Sequence, residues 1–232
     1  MRLRARSRGS ATARSRSRPT SRVATESSRA VVADADAVLR AIAAIRAGGV
    51  VILPTDTVYG LVARGDSGEA TRQLHAVKGR ETTQPTAVLF PSVGALMAHL
   101  PGLPADALAA AWRLLPGPFT LVLPNPDRAF AWLSGDRPET LGVRVPVLPP
   151  ASARVLAAAG CLVATSANVP GGPEPRTLDD VPAVLRALVA EMIDGGPLPG
   201  RPSTVLDLTG PEPLVLREGA VLAADALARL RD

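Results

Sequence analysis

From residue 31 onward, short apolar runs alternate with segments whose apolar residues recur every three or four positions. The spacing in AVLRAIAAIRAGG (37–49) predicts a helix, capped by Asp34 or Asp36 and stopped by its glycine pair. VVIL (50–53) predicts a short buried strand ended by Pro54. Helical spacing returns in 67–77, 105–115, 151–160, 178–190 and a closing segment, AADALARLR. Between these, TAVLF (86–90), TLVLP (120–124), LGVRVP (141–146), CLVAT (161–165), a short piece at EMIDGG, STVLDLT (203–209) and PLVL (213–216) predict strands. Strands alternating with helices indicate an α/β or mixed α+β fold, with the short strands gathered in one sheet.

Three polar clusters are expected just after apolar strands: PTDTVYGL (54–61), VATSANVPGG (163–172) and RPSTVLDLTG (201–210). Ligands bind where loops converge at the carboxyl ends of strands. Taken singly, such Ser, Thr, Asn and Asp residues more often make turns or helix caps. Three of them, together with the Lys78-x-Arg80 pair, point to a polyanion or small-molecule site.

Charge sharpens this picture. The chain has 26 Lys+Arg against 21 Asp+Glu, a net +5. Residues 1–30 hold nine Arg and one Glu, so the remainder, with 17 basic and 20 acidic residues, is at −3. The Arg/Ser-rich segment 1–30 has too few large apolar residues to fold and reads as a disordered tail before a domain at 31–232. A dispensable extension is the favoured reading of it. A nucleic-acid arm giving weak RNA binding and a transit peptide are the alternatives; a secretory signal fails for want of an apolar stretch. No apolar run approaches membrane-spanning length. Cys161 is the one cysteine, which suits a reducing cytoplasm. His75 and His99 are the only histidines, so no metal-ligand spacing is present and no protein-bound metal is expected.

Lys78 is the single lysine beside 25 arginines. An ammonium is a compact charge that fits between two phosphates, where a planar guanidinium does not. Arg80, two residues on along an extended segment, is expected on the same face, able to bond another phosphate or a carboxylate. The plainer alternative is a solvated helix C-terminus whose cations complement the dipole. Phosphate-loop, dinucleotide and serine-hydrolase motifs are absent, and Ser166 has no evident histidine partner.

PTDTVYGL, Lys78-x-Arg80, TAVLF, LGVRVP, TSAN and PSTVLDLTG, in this order, resemble the YrdC-like family of L-threonylcarbamoyladenylate synthases, from about residue 34 to 222. The resemblance implies a twisted mixed sheet flanked by helices, with a concave basic groove. It implies synthesis of threonylcarbamoyl-AMP from L-threonine, bicarbonate and ATP with Mg²⁺, releasing pyrophosphate. A downstream transferase then modifies a tRNA adenosine. By resemblance, Lys78, Arg80, Ser166 and Asn168 are the catalytic and phosphate-binding residues, and Thr140 and Arg217 further ATP contacts. Thr55, Thr57, Arg144 and Ser203 hold threonine. The chain departs from the family at Glu81, where Pro is common, and at Pro170, where a hydroxyl is common. It also has no His in TAVLF, and it is expected to lack the C-terminal domain of longer members. A carbamoyl-AMP-forming paralogue and a non-catalytic RNA-binding module are the rival readings. Against the second, the six aromatics are scattered and the body is acidic.

Overall fold

The computed structural model describes residues 35–231. The expected tail lies outside the described residues, as does Asp34. Helix α1 covers residues 35–46, so Asp36 sits inside the helix and does not cap it. The chain then forms β1 (Val51–Pro54), β2 (Tyr59–Arg64), α2 (Gly68–Lys78), β3 (Ala87–Leu89), α3 (Val93–His99), α4 (Ala105–Leu114), β4 (Phe119–Pro124) and β5 (Thr140–Arg144). After these come α5 (Pro150–Ala159), β6 (Leu162–Ser166), α6 (Ala183–Arg186), β7 (Glu191–Met192), β8 (Thr204–Asp207), β9 (Leu214–Arg217) and α7 (Ala223–Arg231).

All nine strands join one mixed sheet in the order β7-β1-β2-β6-β3-β5-β4-β8-β9. The expected mixed sheet with flanking helices is thus observed. Each face carries its own core. On one face, Leu61, Val88, Leu121, Leu123, Leu141, Val143 and Val163 pack with Leu74 of α2, Leu96 of α3 and Leu114 of α4. On the other, Val62, Leu89 and Leu162 pack with Val38, Ala41 and Ile45 of α1 and with Val155 and Leu156 of α5. Each fully buried Leu, Val or Ile contributes roughly 1.5–3 kcal/mol of apolar burial. The two helices on the second face cover only part of it, and the functional cavity lies on the uncovered part.

Four expectations change. Strand β2 was not expected, because PTDTVYGL read as loop. Instead Thr55 turns the chain: its N–H donates to Val58 O at 3.3 Å and its Oγ1 donates to the same oxygen at 2.7 Å, returning β2 antiparallel to β1. Helix α3 was also missed; Ser92 caps it by accepting from Ala95 N at 3.0 Å. The expected helix over 178–190 shrinks to Ala183–Arg186. Asp180 accepts from the N–H groups of Arg176 and Thr177 in a preceding turn, and Ala190 N–H donates to Val50 O, drawing the chain into the sheet. Finally, Ser203 precedes β8 and does not follow a strand.

Candidate active site

Period-two alternation builds the cavity floor. On β5, Leu141 and Val143 enter the core, while Thr140, Gly142 and Arg144 point to the other face. Register extends this row across the sheet. Val122 of β4 lies opposite Gly142, the Val88↔Val143 pairing sets Ala87 beside Gly142, and Ala87 lies opposite Ala164 of β6. Small residues at 60, 87, 142 and 164 leave a depression, and the result is a cavity of about 530 Å³. Its rim includes Thr83 and 134–137. Gly135, at φ 59, lets those two segments meet, since a Cβ there would fall 2.1 Å from Thr83 O.

Eight of the ten residues expected at the site line this cavity: Thr55, Thr57, Arg80, Thr140, Arg144, Ser166, Ser203 and Arg217. Lys78 and Asn168 sit behind Ser166, both 7% exposed. Lys78 Nζ donates to Ser166 O at 2.7 Å, to Asn168 Oδ1 at 2.5 Å and to Asn168 O. Ser166 Oγ donates to Asn168 Oδ1 at 2.6 Å, and Asn168 Nδ2 to Gly172 O at 2.7 Å. The lysine therefore organises the Ser166–Asn168 turn from beneath. Burial pulls its ammonium down to about 8; nearby Glu174 opposes this and Arg80 adds to it.

The glycine between Lys78 and Arg80 has a structural cause. Gly79, at φ 67 and ψ 40, donates to Ala76 O, and Arg80 N–H donates to His75 O at 2.9 Å. This is the left-handed helix termination that glycine favours. Arg80 hence follows a reversal, where an extended segment was expected. The reversal turns its guanidinium toward the cavity, where Nε donates to Gln84 Oε1 at 2.7 Å and Nη2 to Pro85 O at 2.9 Å.

On the opposite wall Arg144 donates to Asp56 Oδ1 at 2.7 Å, in a pair whose side chains are 11% and 9% exposed. Asp56 Oδ2 and Arg144 Nε are buried without hydrogen-bond partners. Burial raises the Asp56 carboxyl and lowers the Arg144 guanidinium, each against the attraction of the other. Arg217 clasps Ser203 through its carbonyl and Oγ, and Ser203 Oγ shares a 2.7 Å hydrogen bond with Thr120 Oγ1. Thr140 Oγ1 donates to Arg137 O at 3.0 Å.

The model of the Sua5/YciO/YrdC domain, described as telomere recombination, matches residues 43–219. The chain belongs to this family. A Mycobacterium tuberculosis relative is 35% identical over 188 residues, covering 79% of this chain and 84% of its own. The threonylcarbamoyl-AMP synthase of Bacillus subtilis is 33% identical over 186 residues, covering 79% of this chain and 54% of its own. The solved Sua5 of Pyrococcus abyssi complexed with L-threonine superposes with a TM-score of 0.76 at 30% identity, covering 84% of this chain and 57% of that one. The chain thus spans little more than half of the two longer relatives.

Within this Sua5/YciO/YrdC domain, sequence reasoning missed several cavity residues. Arg137 lines the cavity while donating to Asp207 Oδ2 at 3.1 Å and Thr209 Oγ1 at 3.2 Å. Thr120 had an available signal, as a polar residue alternating with buried Phe119 and Leu121. Ser134, Asp136 and Glu174 lie in glycine- and proline-rich loops without periodicity, where no sequence signal marks them.

Proposed function

We infer that this chain makes threonylcarbamoyl-AMP from L-threonine, bicarbonate and ATP, releasing pyrophosphate, as a nucleotidyltransferase supplying tRNA modification. The reading is supported chiefly by the convergence of Thr55, Thr57, Arg80, Thr140, Arg144, Ser166, Ser203 and Arg217 from separate segments on one cavity. Membership of the family and the likeness to a threonine-bound Sua5 agree with it.

The chemistry asks mainly for positioning and charge neutralisation. The amine of threonine attacks the bicarbonate carbon, water leaves, and a carbamate forms. A carbamate oxygen then attacks the α-phosphorus and expels pyrophosphate. Arg80 and Ser166, with Lys78 and Asn168 setting the Ser166 turn, bind the phosphates. Thr140 and Arg217 extend that contact. Arg144 takes the threonine carboxylate, while Thr55, Thr57 and Ser203 orient the amino acid. Among the described residues no three Asp, Glu, His or Cys side chains gather to hold a metal. Mg²⁺ would come with the triphosphate and supply neutralisation of phosphate charge. No described helix is long and apolar enough to cross a membrane. In this reading the enzyme is cytoplasmic and passes its product to a tRNA-modifying transferase.

The test is to combine purified protein with ATP, bicarbonate and isotopically labelled threonine and follow threonylcarbamoyl-AMP by mass spectrometry. Product should need all three substrates. Pyrophosphate release independent of threonine would exclude the assignment.

A further inference from the structure

Four arginines line the cavity, and so do two carboxylates, Asp136 and Glu174. Asp136 stands exposed at the rim. Glu174 is different. Its Oε2 is buried without a hydrogen-bond partner, and it forms no ion pair among the described residues. Its place is set from both sides. Tyr59 N–H donates to Pro175 O at 3.0 Å, docking the segment beside the Thr55–Val58 turn. Asn168 Nδ2 holds Gly172 O, tying the same loop to the Ser166 turn.

A carboxylate in an arginine-lined site repels phosphates and lowers their affinity unless a cationic group meets it. A nucleoside triphosphate has no cationic group of its own beyond the Mg²⁺ that its phosphates carry, and the nearby Lys78 ammonium already donates to Ser166 O, Asn168 O and Asn168 Oδ1. An α-amino acid does, because it carries an ammonium next to its carboxylate. We propose that Glu174 receives the α-ammonium of the amino-acid substrate, while an arginine of the same cavity takes the carboxylate. This rests on the function inferred above and makes Glu174 a specificity residue, one that selects amino acids over acids of the same shape without nitrogen.

The test is titration calorimetry on the full chain with three probes: L-threonine, its analogue 2,3-dihydroxybutanoate (hydroxyl in place of the amine), and ATP. Glu174→Gln should weaken threonine about ten- to hundredfold, the loss of one charge-assisted hydrogen bond. It should leave the hydroxy acid within about twofold and ATP no weaker, since a repelling charge is removed. Glu174→Asp, which keeps the charge, should retain part of the preference for threonine over the hydroxy acid. Equal losses for both acids, an unchanged threonine affinity, or an Asp variant as unselective as Gln would each overturn the role of Glu174. Wild-type protein that binds no threonine would overturn the proposed function together with this inference. Wild-type binding with unaffected variants overturns the inference alone.

Discussion

Removing Asp56 should cost much more stability than removing Arg144, although the two form one ion pair. Both side chains are about nine-tenths buried, and they share one N–O contact of 2.7 Å. Asp56→Ala leaves a guanidinium that has no means of shedding its proton, so an uncompensated charge stays in the wall. Breaking a buried pair in this way costs about 3–5 kcal/mol. Arg144→Ala leaves a carboxyl whose pKa burial already raises and which takes up a proton instead. Protonation relieves the buried charge, so the cost is smaller than for Asp56→Ala. For a domain of about 200 residues, each kcal/mol moves Tm by about 2–4 °C. Asp56→Ala should therefore lose roughly 6–20 °C and Arg144→Ala clearly less. The double variant should be no worse than Asp56→Ala, because its cavity holds no charge. The sign with pH follows from the raised carboxyl. Its folded state binds the proton more tightly than the unfolded chain, so its contribution is complete below the unfolded pKa and lost as pH rises through the folded one. Arg144→Ala should thus regain relative stability as the pH falls through the raised carboxyl pKa, while Asp56→Ala should not. The assay is thermal and urea unfolding of all four proteins in a double-mutant cycle. Equal costs for the two single variants, or additivity within about 0.5 kcal/mol, would refute the reasoning.

Gly142→Leu should fill the cavity floor, since its Cβ meets Ala87 at ordinary contact distances of 3.5–3.6 Å; ligand affinity measured by calorimetry should fall at least about tenfold while Tm shifts by only a few degrees. Lys78→Ala should lower turnover about a hundredfold or more, and Lys78→Arg should also impair it, because three carbonyl oxygens crowd the ammonium. In wild type, ATP affinity should fall as pH rises through about 8, where Lys78 gives up its proton; affinity flat from pH 7 to 9.5 excludes that role. Gly79→Ala should destabilise by about 1–2 kcal/mol through its positive φ and displace Arg80, read as a lower Tm with a raised KM for ATP.

Eight of the nine strands were legible in the chain, because buried strands leave apolar runs between glycine and proline breaks. Strand β2 was not, because its first residues belong to a motif that reads as polar loop. The 178–190 segment failed for the opposite reason. Its helical spacing is real, but Pro182, the Asp180 turn and the hydrogen bond from Ala190 to Val50 compete with the helix and win. Propensity is a weak prior wherever sheet pairing is on offer.

The sequence by itself determined the mixed α/β class, the residue types that recognise anions, and the singular Lys78. It did so because periodicity and side-chain chemistry are local properties. Only the tertiary structure decided that Lys78 lies beneath Ser166 instead of in the cavity, that Asp56 faces Arg144 across 88 residues, and that Glu174 joins the wall. Those facts follow from strand order and register, which sum many weak long-range contacts. In this chain, crossing from β2 to β6 to β3 to β5 is what sets Ala164, Ala87 and Gly142 side by side, with Gly60 opposite Ser166, as the floor of a binding site.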